Sequence, residues 1–180
     1  MENLESNILA SHMGASFSNL SPLLRKVHEG KKRIEGEVNV EHGNIIAKII
    51  CFIFRFPKEN SKTHLVVNCY HSGNSMKWYR DFDGHKMQSH FYSSNGCLVE
   101  KLGPLDLYFH PTEEDGALIY KFGYTKLFGI PMPKFLGPII RAREYESEGR
   151  YSFEVRVYMF CVGLVLAYAG SMQLIDEEIA

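Results

Sequence analysis

No apolar run in this chain is long enough to cross a bilayer as a helix. The two longest, Ile45 to Phe56 and Val157 to Ala169, are each about a dozen residues, where a spanning helix needs about 20. Lys48 and Arg55 break the first, and Tyr158, Gly163 and Tyr168 interrupt the second. Neither sign of charge dominates. A formal net charge of −1 leaves no overall electrostatic footprint for nucleic acid or an anionic membrane. The one dense basic cluster, Arg25, Lys26, Lys31, Lys32 and Arg33, is interrupted by Glu29 and reads as a solvated face.

Metal and nucleophile signatures are missing too. Cys51, Cys69, Cys97 and Cys161 fit no zinc spacing and no C-x-x-C pair. Cys51, Cys69 and Cys161 sit in apolar runs, where a thiol behaves as a small buried hydrophobe. With no signal peptide, all four are expected reduced, in a cytoplasmic setting. The chain has no H-x-H, H-E-x-x-H, G-x-S-x-G or Gly-rich phosphate loop. His85 and His90, like His64 and His71, have odd separations that put each pair on opposite faces of a strand. No metal and no cofactor is expected.

What is present describes a globular domain. A length of 180 residues suits one domain, and 45% apolar with 23% charged residues argues against disorder. Residues 1–16 lack a sustained pattern, and Ser11-His12-Met13 resembles a cloning scar. This segment is set aside as flexible or foreign, leaving residues 17–180 as a single α+β domain.

Ser18 to Glu29 reads as a helix, with Ser21 as N-cap, Pro22 at N1 and Gly30 as the stop. Arg33 to Val40 alternates as a half-buried strand. Asn44 to Phe56 reads as a second helix, capped by Asn44 and stopped before Pro57. It is apolar nearly all round, as in a helix buried on most sides or lying against something greasy. From Thr63 onward, alternating segments are separated by turn signals at intervals of about ten residues. Asp83-Gly84 is the clearest hairpin signal. The expected fold is α+β: a strongly curved antiparallel sheet of about seven to nine strands, a partial or near-closed barrel, packed on two helices from the N-terminal half. Such a shape leaves room for an apolar cavity between sheet and helix.

The stretch FGIPMPKFLGP, residues 128–138, is too apolar for an ordinary loop. Its prolines remove backbone donors and push Ile130 and Met132 toward extended geometry, so 130–133 cannot lie inside a central strand. It is expected to close the end of the core or to form the rim of a pocket.

Several pieces together resemble one family. They are SPLLRKVH, EGEVNVEHG with the apolar helix after it, LVEKLGPLDLYF, DGALIYKFGYTKLFGIPMPKFLGP, and AREYESEGRYSFEVRVYMFCVGLVLAYAGSM. Over Phe17 to Leu174 the chain resembles DUF4166, an uncharacterised bacterial family. That resemblance implies one domain and a bacterial cytoplasmic setting. It implies no catalytic residue, because the family carries no established activity.

Three functional readings follow. In the first, curved sheet and apolar helix enclose a site for a lipid-like or other hydrophobic small molecule, with Trp78, Arg80, Tyr120, Phe128, Ile130, Met132, Phe135 and Arg143 as its wall or rim. Arg143 inside the barrel would need an acid such as Glu100 or Asp106, or a ligand anion; outside, it would belong to a solvent-facing charge ladder. The second reading is an enzyme for a hydrophobic substrate, which requires polar groups to converge in the cavity. In the third, helix 44–56 docks on a partner, on a second copy or fused domain, or on a membrane surface, with Ile46, Ile49, Ile50 and Ile53 exposed.

Overall fold

Alternation of apolar and polar residues, punctuated by turn pairs, produces eleven antiparallel strands. The computed structural model describes residues 7–175. Three short helical segments come first: α1 (Ile8–Met13), a 3-10 segment (Gly14–Asn19) and α2 (Pro22–Val27). Then follow β1 (Lys31–His42), α3 (Ile45–Ile53), β2 (Asn60–Ser72), β3 (Ser75–Phe82), β4 (His85–Ser94), β5 (Cys97–Leu102) and β6 (Leu105–Glu114). The chain ends with β7 (Ala117–Leu127), the two-residue β8 (Ile130–Pro131), β9 (Pro138–Ser147), β10 (Arg150–Met159) and β11 (Gly163–Ile175).

The strand order is β6-β5-β4-β3-β2-β1-β11-β10-β9-β7-β8, and β6 also pairs with β7. That last pairing turns a curved sheet into a closed barrel of ten strands, with β8 as a short extra strand. The expected seven to nine strands fell short for an identifiable reason. The run from Arg150 to Gly170 reads as one segment, but Phe160 to Val162 turns the chain back, giving β10 and β11. Register shifts at Val38/Val40, Tyr108/Phe109 and Val157/Tyr158 mark bulges, which bend strands and help a sheet close.

Type I′ hairpin turns need positive φ at both central residues. Asp83-Gly84, Asn95-Gly96, Asp115-Gly116 and Glu148-Gly149 all have it, as the turn signals in the sequence anticipate.

Antiparallel connectivity gives the barrel two distinct ends. At the base lie the β2–β3, β4–β5, β6–β7 and β9–β10 turns. The N-terminal helices plug this end: α1 packs on β5 and β6, and α2 on β9 and β10, while the Ser21 amide donates to the Gly116 carbonyl at 3.0 Å. From Asn7 onward, the segment set aside as flexible or foreign belongs to this plug. Ile8, Leu9 and Met13 are buried, the Asn7 side chain caps α1 through the Leu9 amide, and Asn7 Nδ2 donates to the His28 carbonyl. Ser21 caps α2 as expected, accepting from the Leu24 amide.

At the other end, the mouth, lie α3, the β3–β4, β5–β6 and β10–β11 turns, and the 128–137 crossing. Asn44 caps α3 through the amides of Ile46 and Ala47, and its Nδ2 donates to the Val162 carbonyl at 3.0 Å. The helix buries only Ala47 and Cys51 fully and leaves its outer apolar face in solvent. The helices therefore cover the two ends of a barrel, not the concave side of an open sheet. Cys161 is exposed in the β10–β11 turn, whereas Cys97 is buried with Cys51 and Cys69; all four thiols are free.

The close fit of α3 to the wall depends on Gly43, where a Cβ would lie 1.8 Å from the Leu164 carbonyl oxygen. Gly43→Ala is expected to cost about 2 kcal/mol. In a thermal melt this appears as a Tm lower by roughly 4–8 °C.

Candidate functional site

Inward-facing residues from every long strand line a cavity of about 250 Å3. At the volume of ~30 Å3 that a water occupies in the liquid, this is room for about eight waters, well beyond a packing defect. Its mouth side is apolar, with Ile50, Phe54 and Phe56 on one side and Met132, Leu136 and Pro138 on the other. Its floor, next to the N-terminal plug, is polar.

Eight elements meet at that floor. α2 ends in His28, which is fully buried. His28 Nε2 lies 2.6 Å from Glu144 Oε2 on β9, and the Tyr120 hydroxyl on β7 donates to Glu144 Oε1 at 2.9 Å. Both oxygens of a buried carboxylate thus have partners, as burial of such a group requires. On the facing wall, Arg80 (β3) donates to Ser89 Oγ (β4) at 2.5 Å and to Glu100 Oε1 (β5) at 3.3 Å. Ser89 Oγ also donates to Glu100 Oε1 at 2.5 Å. Trp78 joins the two sets: His28 stacks on it with centroids 5.7 Å apart, and the Arg80 guanidinium sits 5.1 Å from its ring centroid.

Burial keeps the floor phenols protonated. It pushes Tyr120 and Tyr151 well above the usual tyrosine range, with the Glu144 charge adding to the effect. Tyr168 is pushed up to about 12 by burial, against the pull of Arg80. Burial works to lower Arg80, but Tyr168 and Glu100 outweigh it and raise it. These hydroxyls therefore act as hydrogen-bond donors. Trp78 Nε1–H is a buried donor with no protein partner among the described residues. The floor is thus rich in donors facing an otherwise apolar cavity.

The residues singled out from the sequence fall into three places. Trp78, Arg80 and Tyr120 are at the floor, and Met132 lines the mouth. Phe128, Ile130 and Phe135 are exposed on the outer edge of the mouth and are not part of the cavity wall. Arg143 has its side chain on the solvent face of β9, over the Tyr145 ring at 5.0 Å. It stands opposite Glu154 in register, and the acid Glu100 belongs to Arg80 instead. The neighbouring Glu144 is the one that points in. Sequence reasoning missed His28, Ser89, Glu144, Tyr151 and Tyr168, and named Glu100 only as an acid that Arg143 would need. Two signals were present: Glu144 is in phase with Ile140 and Ala142 on one strand face, and His28 follows Leu24 by four on the buried face of α2.

The DUF4166 profile, a domain of unknown function, matches residues 20–172. The chain belongs to the DUF4166 family. No curated protein and no solved structure matches it. For this DUF4166 chain the floor and the mouth are therefore interpreted from their own chemistry.

Removing Glu144 would strand His28 and Tyr120 in the interior. Glu144→Leu is expected to cost about 3 kcal/mol or more, and Glu144→Gln clearly less, because an amide still accepts from Tyr120; urea denaturation measures both. Burial, with His28 beside it, holds His71 down at about 3 against an ordinary 6.5. Between those values only the unfolded chain takes the proton, so stability falls as pH drops from about 6.5 toward 3. His71 Nδ1 lies 3.2 Å from the Gly30 carbonyl oxygen. His71→Asn, whose amide can donate to that carbonyl, is expected to flatten the fall in a pH series of urea melts.

Proposed function

We propose that the barrel is a binding module for one lipid-like amphiphile, with its apolar part against the cavity wall and its polar end at the floor. The observation that carries this reading is the division of a single cavity into an apolar mouth and a donor-rich floor. Apolar area buried from water drives entry of the chain. The floor donors, Trp78 Nε1–H and the Tyr151 and Tyr168 hydroxyls, suit an acceptor such as a carbonyl, hydroxyl or carboxylate oxygen. A small number of placed polar groups in an apolar pocket is the usual composition of a small-molecule site.

One observation favours a second reading, an enzyme for a hydrophobic substrate. Glu144, held between His28 and Tyr120, converges with Arg80 and Glu100 on the same end of the cavity. Buried acid–base groups in a pocket are where catalysis is sought. A carrier returns its ligand unchanged, whereas an enzyme returns a different mass.

Native mass spectrometry followed by denaturing extraction tests both readings. A co-purified hydrophobic molecule is expected. Ala142, between Tyr120 and Val155 in register, lines the cavity, so Ala142→Phe fills it from the wall. Binding of cis-parinaric acid, followed by fluorescence, is expected to weaken about tenfold or more in this variant. Equal binding by both proteins would place the probe elsewhere and remove the cavity reading.

A further inference from the structure

Among the described residues, every exposed large apolar side chain except Tyr79 lies at the mouth end of the barrel. They come from three segments far apart in sequence. Phe52 is 84% exposed on α3, Phe128 is 78% exposed at the head of the crossing, and Phe160 is 67% exposed in the β10–β11 turn. Phe128 is doubly unfavourable where it stands. It has φ of +50° in the Phe128-Gly129 turn, a backbone region that suits Asn or Gly and strains a bulky residue. A strained, solvent-exposed aromatic is kept against both folding preferences, which points to a role outside the fold.

Charge is arranged to match. In the register of β7, β9 and β10, Lys121 stands opposite Arg141, and Arg141 opposite Arg156. Glu114 pairs with Lys121 at 3.2 Å and Glu154 pairs with Arg156, so Arg141 is the row's cation without an acidic partner among the described residues, and it faces a like charge on either side. The row lies on the outer wall, two residues below Ile139 and Tyr158 and so about 7 Å below the rim. Arg141 stacks over Tyr158 at 5.6 Å. The mouth connections add Arg55, Lys58 and Lys134 against Asp83, with Lys48 paired to Glu59 at 2.8 Å. The base turns carry Glu29, Asp115 and Glu148, and the basic cluster Arg25, Lys26, Lys31, Lys32 and Arg33 lies at the same end.

We propose that the mouth end docks on an anionic lipid surface. The apolar rim enters the acyl boundary, Tyr158 sits at the interface, and the cationic row meets the headgroups. Apolar insertion with a basic collar and an interfacial aromatic is the arrangement such a surface rewards. Docking stands whether or not the cavity is filled; the route of loading rests on the cavity reading. A bilayer amphiphile presents its polar end to the docked protein, so it enters head-first and its head arrives at the donor-rich floor.

Vesicle flotation of the full chain is the test, with phosphatidylcholine vesicles and with phosphatidylcholine plus phosphatidylserine. The wild type is expected to float with the anionic vesicles, and less so at high salt. Arg141→Gln relieves like-charge repulsion without breaking an ion pair, so it is expected to keep or raise Tm while binding anionic vesicles about fivefold more weakly. Phe128→Asn suits its turn better and is expected to raise Tm, yet Phe128→Asn/Phe160→Ser is expected to lose vesicle binding about tenfold or more. Ala142→Phe is expected to dock normally, which separates failure of the cavity reading from failure of docking. Wild-type protein that stays in solution overturns the proposal. So does vesicle binding that neither variant changes, or a rim-dependent dimer that forms without lipid and excludes vesicles.

Discussion

Closure of the barrel by the β6–β7 pairing is the constraint on which the rest of the molecule depends. About eight strands enclose an interior that side chains just fill, or that holds one small ligand. Ten strands enclose more. Short helical segments seal the base and fill the space there, whereas α3 covers the mouth along β1 and β11 while burying only Ala47 and Cys51 fully, and leaves the space beneath it open. The cavity is thus a geometric result of strand number and not a local flaw in packing. Closure also pairs both sheet edges, so the long strands offer no row of free backbone groups to other chains.

The polar floor follows from where the plug meets the wall. A helix end brings His28 into the interior, and Glu144 and Tyr120 complete it. Burying such groups is unfavourable unless every one finds a partner. The second set, Arg80 with Ser89 and Glu100, meets the same requirement. Together they fix how α2 sits on β9 and β10. They also set the chemistry at the deep end of the cavity, so one cluster fixes both the fold's base and the polarity of the site.

Much of the fold was legible in the sequence because it is written locally. Asp83-Gly84 and Asn95-Gly96 specify tight turns, Ser21-Pro22 starts a helix, and period-two patterning marks the strands. The β10–β11 turn was not legible, because Phe160 to Val162 has no residue type that marks a turn. Curling toward a near-closed barrel was legible from the number of strands, but full closure through β6 and β7 was not, since it joins strands by three-dimensional curvature. The candidate site was legible only in part. Trp78, Arg80 and Tyr120, candidates for the wall or rim from the sequence, line the floor. Arg143 was favoured over Glu144, and in a strand a one-residue difference exchanges inside for outside. His28, Ser89 and Glu100 come from separate elements whose meeting no short stretch of sequence records. Phe128, Ile130 and Phe135 were read as rim residues of a pocket; they stand on its outer edge, because the crossing turns only Met132 and Leu136 inward.

Strand order carries one more consequence, for the way the chain reaches this shape. Nearly every strand pairs with its neighbour in sequence, so most contacts form between segments already close along the chain. The seam between β1 and β11 is the great exception, joining Arg33 to Ile175. During synthesis β1 emerges early and must keep one edge unpaired until the last strand follows. Long-range pairing of this kind is slow compared with hairpin formation. The nascent barrel therefore spends its assembly as an open, curling sheet, and its most vulnerable moment is the wait for its final strand.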